Sequence, residues 1–107
     1  MRPLNPGRFR HKISILMRPH NENAYGETTG EWPELRKALA SKEPLLGREL
    51  YSASTADSLV RVKFVMRYFA GVKEGMRIKH KENLYEIVSA QDVEARGVEL
   101  VCYCKEV

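Results

Sequence analysis

No apolar run in the 107 residues approaches the roughly 20 that a membrane-spanning helix needs, so no membrane partner is expected. The opening Met1-Arg2-Pro3-Leu4-Asn5-Pro6-Gly7 carries charge but no apolar stretch after it, so it does not read as a secretory signal. The chain is expected to stay where it is made. Cysteine is scarce: Cys102 and Cys104 are the two present. Their side chains point the same way on a strand, a geometry that disfavours a bond between them. Two thiolates cannot close a zinc site, and no other Cys or His pair completes one. A packed, reduced pair in a cytosolic protein is the expectation, with no metal and no cofactor.

Catalytic spacing is missing too. The three histidines, His11, His20 and His80, are scattered along the chain. No nucleophile elbow, phosphate-binding glycine loop, dinucleotide fingerprint or His-Glu-x-x-His motif occurs. Glu43, Glu49 and Asp57 do not form a paired acid and base. An enzyme is therefore the weakest class.

What remains is a small domain. The 12.3 kDa chain is 43% hydrophobic and 30% charged, enough for one modest core and not for two. A chain this short buries only about two-thirds of its unfolded surface, so contacts with partner subunits would add stability. The net charge of +4 permits a nucleic-acid partner without demanding one.

Period-two alternation dominates. Phe9, His11, Ile13, Ile15 and Met17 form one apolar stripe, stopped by Arg18-Pro19. A long polar excursion follows over 19–34. Leu35 to Lys42 reads ambiguously as a second strand. Leu46, Leu50 and Ala53 have helical spacing, which predicts a short helix over about 47–55 inside a second loop at 41–58. Val60, Val62, Phe64, Met66 and Tyr68 then alternate with Arg61, Lys63, Val65 and Arg67. Gly71 and Gly75 bracket a turn before Met76, Ile78 and His80. Glu82-Asn83 reads as a hairpin tip leading into Leu84 to Val88, and Val98 to Lys105 closes the chain. The fold expected is mainly β: a single small antiparallel β-barrel or sandwich with long loops and one short helix.

Two features bear on partners. Arg61, Lys63 and Arg67 share one strand face, and Arg77, Lys79 and Lys81 share another; together six cations could track a phosphate backbone. Taken alone, the pattern fits a solvated outer face better, with Glu82, Glu86 and Glu99 as cross-strand partners. Phe64 and Tyr68 lie opposite the cations, which argues against a base-stacking barrel. Trp32, the single tryptophan, reads as a core anchor, with an interface anchor as the alternative.

The order of local motifs resembles the small head-closure, or head–tail joining, proteins of long-tailed bacteriophages and prophages. The likeness starts at Asn5-Pro6-Gly7-Arg8-Phe9-Arg10-His11-Lys12 and runs through Tyr25-Gly26 and Glu31-Trp32. It continues with Ala38-Leu39-Ala40, Glu43-Pro44-Leu45-Leu46-Gly47-Arg48-Glu49, Met66-Arg67-Tyr68, Met76-Arg77-Ile78 and Leu84-Tyr85-Glu86-Ile87. Two positions depart from it: Ala24 stands where an acidic residue is common, and Glu82-Asn83 where the hairpin usually has glycine. The resemblance implies a virion component, made in the host bacterial cytoplasm, whose copies form a six- or twelve-fold ring below the portal and adaptor. Such a ring closes the DNA-filled head, contacts packaged double-stranded DNA non-specifically and offers a surface to tail-completion or tail-tube proteins. It implies contact roles for Pro6, Gly7, Arg10, His11, Tyr25, Gly26, Trp32, Pro44, Gly47, Arg48 and Glu49, and a channel-facing role for Arg61, Lys63 and Arg67. The segment 41–58 is the expected gate. The alternative is a monomeric barrel that binds nucleic acid through the six-cation stripe.

Overall fold

A computed structural model describes residues 9–19 and 31–107. Six strands close into an antiparallel barrel in the order β1-β2-β3-β6-β5-β4, with β4 returning to β1. They are β1 (His11–Leu16), β2 (Glu34–Pro44), β3 (Val62–Arg67), β4 (Arg77–His80), β5 (Asn83–Asp92) and β6 (Glu99–Glu106). One helix, α1 (Gly47–Ala56), joins β2 to β3, and a single 3-10 turn at Val93–Ala95 joins β5 to β6.

Closure decides between barrel and sandwich, and it leaves no open edge among these strands. Two register shifts, between Ile15 and Leu16 and between Ile87 and Ser89, interrupt the ladders. Such bulges bend and twist a strand, which helps six short strands curve round a common centre.

The alternation read from sequence sets the interior. Ile13 and Ile15 from β1, Phe64 and Met66 from β3, Ile78 from β4, Ile87 from β5, and Cys102 and Cys104 from β6 are all buried. Burying each large apolar side chain contributes about 1.5–3 kcal/mol. The cysteines are free thiols inside this core. Val65, whose alternation points outward, is nonetheless covered, lying between Ser41 of β2 and Val101 of β6.

Three boundaries differ from expectation. The second strand is eleven residues long and runs through Pro44. Proline is tolerated because it sits last in the ladder, opposite Val62, and the next amide, Leu45 N–H, takes up the bond to the Arg61 carbonyl. The segment 41–58 is therefore the end of β2 and the helix α1, with little loop. The β4–β5 hairpin turns at Lys81-Glu82, one residue early, because His80 pairs directly with Asn83. Lys81 takes a left-handed backbone there, φ 58°, the conformation that glycine adopts most easily. The expected polar connection over 91–97 is also shorter, since Gln91 and Asp92 still pair with β6. Most of the 19–34 excursion, residues 20–30, lies outside the described residues, as do residues 1–8.

Candidate docking surfaces

Helix α1 is the most loosely packed element of the fold. None of its residues is buried, and its N-cap, Leu46, supplies no side-chain hydrogen bond. Polar contacts hold it to the barrel instead. Lys63 Nζ donates to both oxygens of Glu49, at 2.9 and 3.0 Å, and the Tyr103 hydroxyl donates to Glu49 at 3.1 Å. Glu49 lies in the first helical turn, where its charge also complements the helix dipole. Burial first, and then the Glu49 carboxylate, raise the Tyr103 phenol above its ordinary pKa.

The far end of the helix has a second tie. Lys105 Nζ donates to Asp57 at 2.8 Å, and Glu86 is 3.7 Å away. The Lys105 hydrogen bond, with a second from the Leu59 amide, holds the Asp57 carboxyl below its ordinary pKa. Between the ties the helix roofs a cavity of about 240 Å³, bounded by Ala53 and Ala56 above and by Val88, Ser89 and Tyr103 below. Leu46, Tyr51 and Leu59, on and beside α1, are 73%, 73% and 63% exposed. The described residues leave these three large apolar groups uncovered.

The six cations singled out in the sequence do not share one face. Strands β3 and β4 are not neighbours: two strands separate them in either direction round the barrel. Lys63 is committed to Glu49. The Arg61 guanidinium donates to the Ser58 and Val60 carbonyls, tying down the turn after α1. Arg67 is exposed and pairs in register with Glu99. Arg77 lies over Trp32, its guanidinium carbon 4.2 Å from the ring centroid. Trp32 is therefore half-buried beneath a cation, outside the barrel core to which the sequence assigned it. The Met17 N–H donates to the carbonyl of the neighbouring Pro33 at 2.7 Å, just outside the β1–β2 ladder.

Lys79 and Lys81 belong to a different grouping, one that sequence reasoning missed. The β1 registers set Ser14 opposite Lys37 of β2 on one side and Lys79 of β4 on the other. Lys12, two residues before Ser14, projects from the same face. These four lysines line one broad depression of about 1160 Å³. The pairing of β1 with both β2 and β4 creates the cluster, so no window of consecutive residues reveals it.

The remaining candidates scatter. His11 meets His80 edge-on, 4.9 Å between ring centroids, at one end of the interior. Arg10, Pro44, Gly47 and Arg48 are exposed. Gly47 opens α1 with φ 56°, which a side chain would strain. Pro6, Gly7, Tyr25 and Gly26 fall outside the described residues. No cluster of three or more potential metal ligands occurs among the described residues.

A family model for phage head completion proteins matches residues 4–107. The chain belongs to that family. It is a structural component in the assembly of the phage head, and the family role implies contact with other virion components at the head–tail junction. The solution structure of protein SF1141 from Shigella flexneri 2a is similar in fold, with a TM-score of 0.72, 23% identity and 96% of each chain covered. No curated protein matches the sequence.

Proposed function

We propose that copies of this chain form a ring beneath the portal and its adaptor, closing the DNA-filled head and presenting a docking surface to the tail. The observation that carries this reading is α1, joined to its barrel by ionic and hydrogen-bonded ties while Leu46, Tyr51 and Leu59 stay exposed. An apolar surface on an element with no buried residue suits contact with a neighbouring subunit. In this reading α1 and its flanks, within 41–58, form the movable part that faces the channel. Its ties are two partly buried ion pairs with few hydrogen bonds, which contacts of the same kind on other subunits can replace. The ring has six or twelve copies, assembles in the host bacterial cytoplasm and performs no catalysis. Packaged duplex DNA is a non-specific neighbour, and tail-completion or tail-tube proteins are the partners below.

Capture on portal–adaptor complexes or DNA-filled heads tests the proposal. Stoichiometric capture that survives 500 mM salt is the expected result (a concentration that shortens the screening length well below about 10 Å). Loss of capture by Leu46→Ser/Tyr51→Ser, with the barrel still folded, assigns the contact to α1. Failure of the wild-type chain to bind any head component overturns the reading. The monomeric nucleic-acid barrel has less support, because its six-cation stripe is divided between opposite walls.

A further inference from the structure

We propose that the outer face of β4-β1-β2 is a docking surface for the sugar–phosphate backbone of duplex DNA, centred on Ser14 between Lys37 and Lys79, with Lys12 and Lys81 extending it. The proposal rests on the connector reading for its biological setting alone; the chemistry stands on the surface itself.

Strand register makes the arrangement. Ser14 pairs with Lys37 and with Lys79, so hydroxyl and both ammonium stems lie in one row across three strands. Neighbouring strands are about 4.8 Å apart, which spaces the two lysine stems by roughly 10 Å with the short serine as a dip between them. Lys12, Lys37, Lys79 and Lys81 are all exposed, and none forms an ion pair among the described residues. The described residues lining the depression add Arg36 and Arg67 and include no carboxylate. This is unusual on a chain with 14 acidic residues, several of which pair with cations elsewhere. Glu31 and Glu82 share an adjoining depression with Lys79 and Lys81 but form no ion pair with them among the described residues, so the four lysines keep an excess of positive charge that a polyanion relieves.

The residue types select the ligand. Lysine is a flexible point charge without the planar fork that reads one carboxylate or one base edge, so this surface recognises charge density and no particular sequence. Duplex DNA offers a negative charge about every 1.7 Å along its axis, so it satisfies several lysines in many registers. A serine hydroxyl and lysines are among the usual donors to phosphate oxygens. Contact of this kind holds a duplex without fixing its register.

Fluorescence anisotropy with a 30-base-pair duplex and the full chain tests it. Four neutralised phosphates give a log–log salt slope of about −3.6, so binding weakens about 150-fold between 50 and 200 mM salt. Lys37→Gln/Lys79→Gln is expected to bring the slope to about −1.8, while Lys73→Gln/Arg96→Gln, with the same loss of charge elsewhere, leaves it near its starting value. Ser14→Ala is expected to weaken binding severalfold at constant slope. Equal losses in both double variants overturn the proposal, because net charge alone then explains binding. No DNA binding at 50 mM salt also overturns it and turns the surface over to an acidic protein. Head capture separates this inference from the connector reading: a Lys37→Gln/Lys79→Gln chain still captured by heads retains one, whatever becomes of the other.

Discussion

Glu49 and Lys63, fourteen residues apart, form a two-pronged contact in which both carboxylate oxygens lie within 3.0 Å of one ammonium. The pair joins the first turn of α1 to the third barrel strand, and Tyr103 of β6 adds a third bond to the same carboxylate. Where hydrophobic burial is missing, these few polar bonds set how firmly the helix sits.

Glu49→Ala is therefore expected to free α1 without loosening the barrel. Amides of the helix should exchange with solvent about fivefold faster, matching loss of roughly 1 kcal/mol of local stability. The midpoint of global unfolding should barely move. Hydrogen exchange resolved by segment checks this; equal acceleration in β3 and β6 would mean that helix and barrel open as one unit.

His80 makes stability depend on pH. It is 6% exposed, and its Nδ1 has no hydrogen-bond partner among the described residues. Burial chiefly, then the positive charge available to His11, Lys42 and Lys81, lowers its pKa below 6.5. The unfolded chain thus binds the proton more readily. The stabilising contribution is complete above the unfolded value of about 6.5 and declines as pH falls from there toward the lower folded value. Urea unfolding at pH 7.5 and 5.5 should show the loss. His80→Phe, which keeps an aromatic ring against Phe64, should reduce the difference; an unchanged difference would assign it to other groups.

The barrel was largely legible because a closed antiparallel wall imposes one rule, inward and outward in alternation, which β1 follows and β3 follows except at the covered Val65. The register was not legible. Nothing local to Ser14 says that Lys37 and Lys79 will flank it, because strand order is settled by closure of the whole barrel. The six-cation stripe failed for the same reason: charge alternation within β3 and β4 was visible, but their separation round the wall was not. Helix α1 was found from the spacing of Leu46, Leu50 and Ala53, of which Leu50 and Ala53 are half-buried. In the folded chain Leu46 is exposed and the helix is held by Glu49, a residue with no apolar signal. Trp32 misled because a large ring can also be sheltered by a cation lying on it.

Both thiols should be inert in the folded protein. Cys102 and Cys104 are fully buried, and burial pushes the Cys102 thiol up to about 12 and that of Cys104 higher still. Since the thiolate is the reactive form, a disulfide reagent at pH 8 should label neither cysteine in native protein and both in urea. Labelling of the native chain at a rate independent of its stability would mean that β6 opens locally. A rate that tracks global unfolding fits a strand clamped between β3 and β5.

Arg77 and Trp32 allow the rim of the barrel to be read optically, since the protein has one tryptophan. The guanidinium lies 4.2 Å from the ring centroid and shields one face of it from water. Arg77→Ala should therefore shift Trp32 emission to the red and increase quenching by iodide, with a cost of about 0.5–1 kcal/mol in stability. Arg77→Met separates cover from charge. It restores an apolar chain over the ring and should recover the emission maximum, while any stability it fails to recover belongs to the cation–ring attraction. Arg77→Lys keeps the charge but loses the flat stacking group, so its emission should fall between those of wild type and alanine. If all three variants emit like wild type, the ring is sheltered by other groups and Arg77 contributes nothing to its cover.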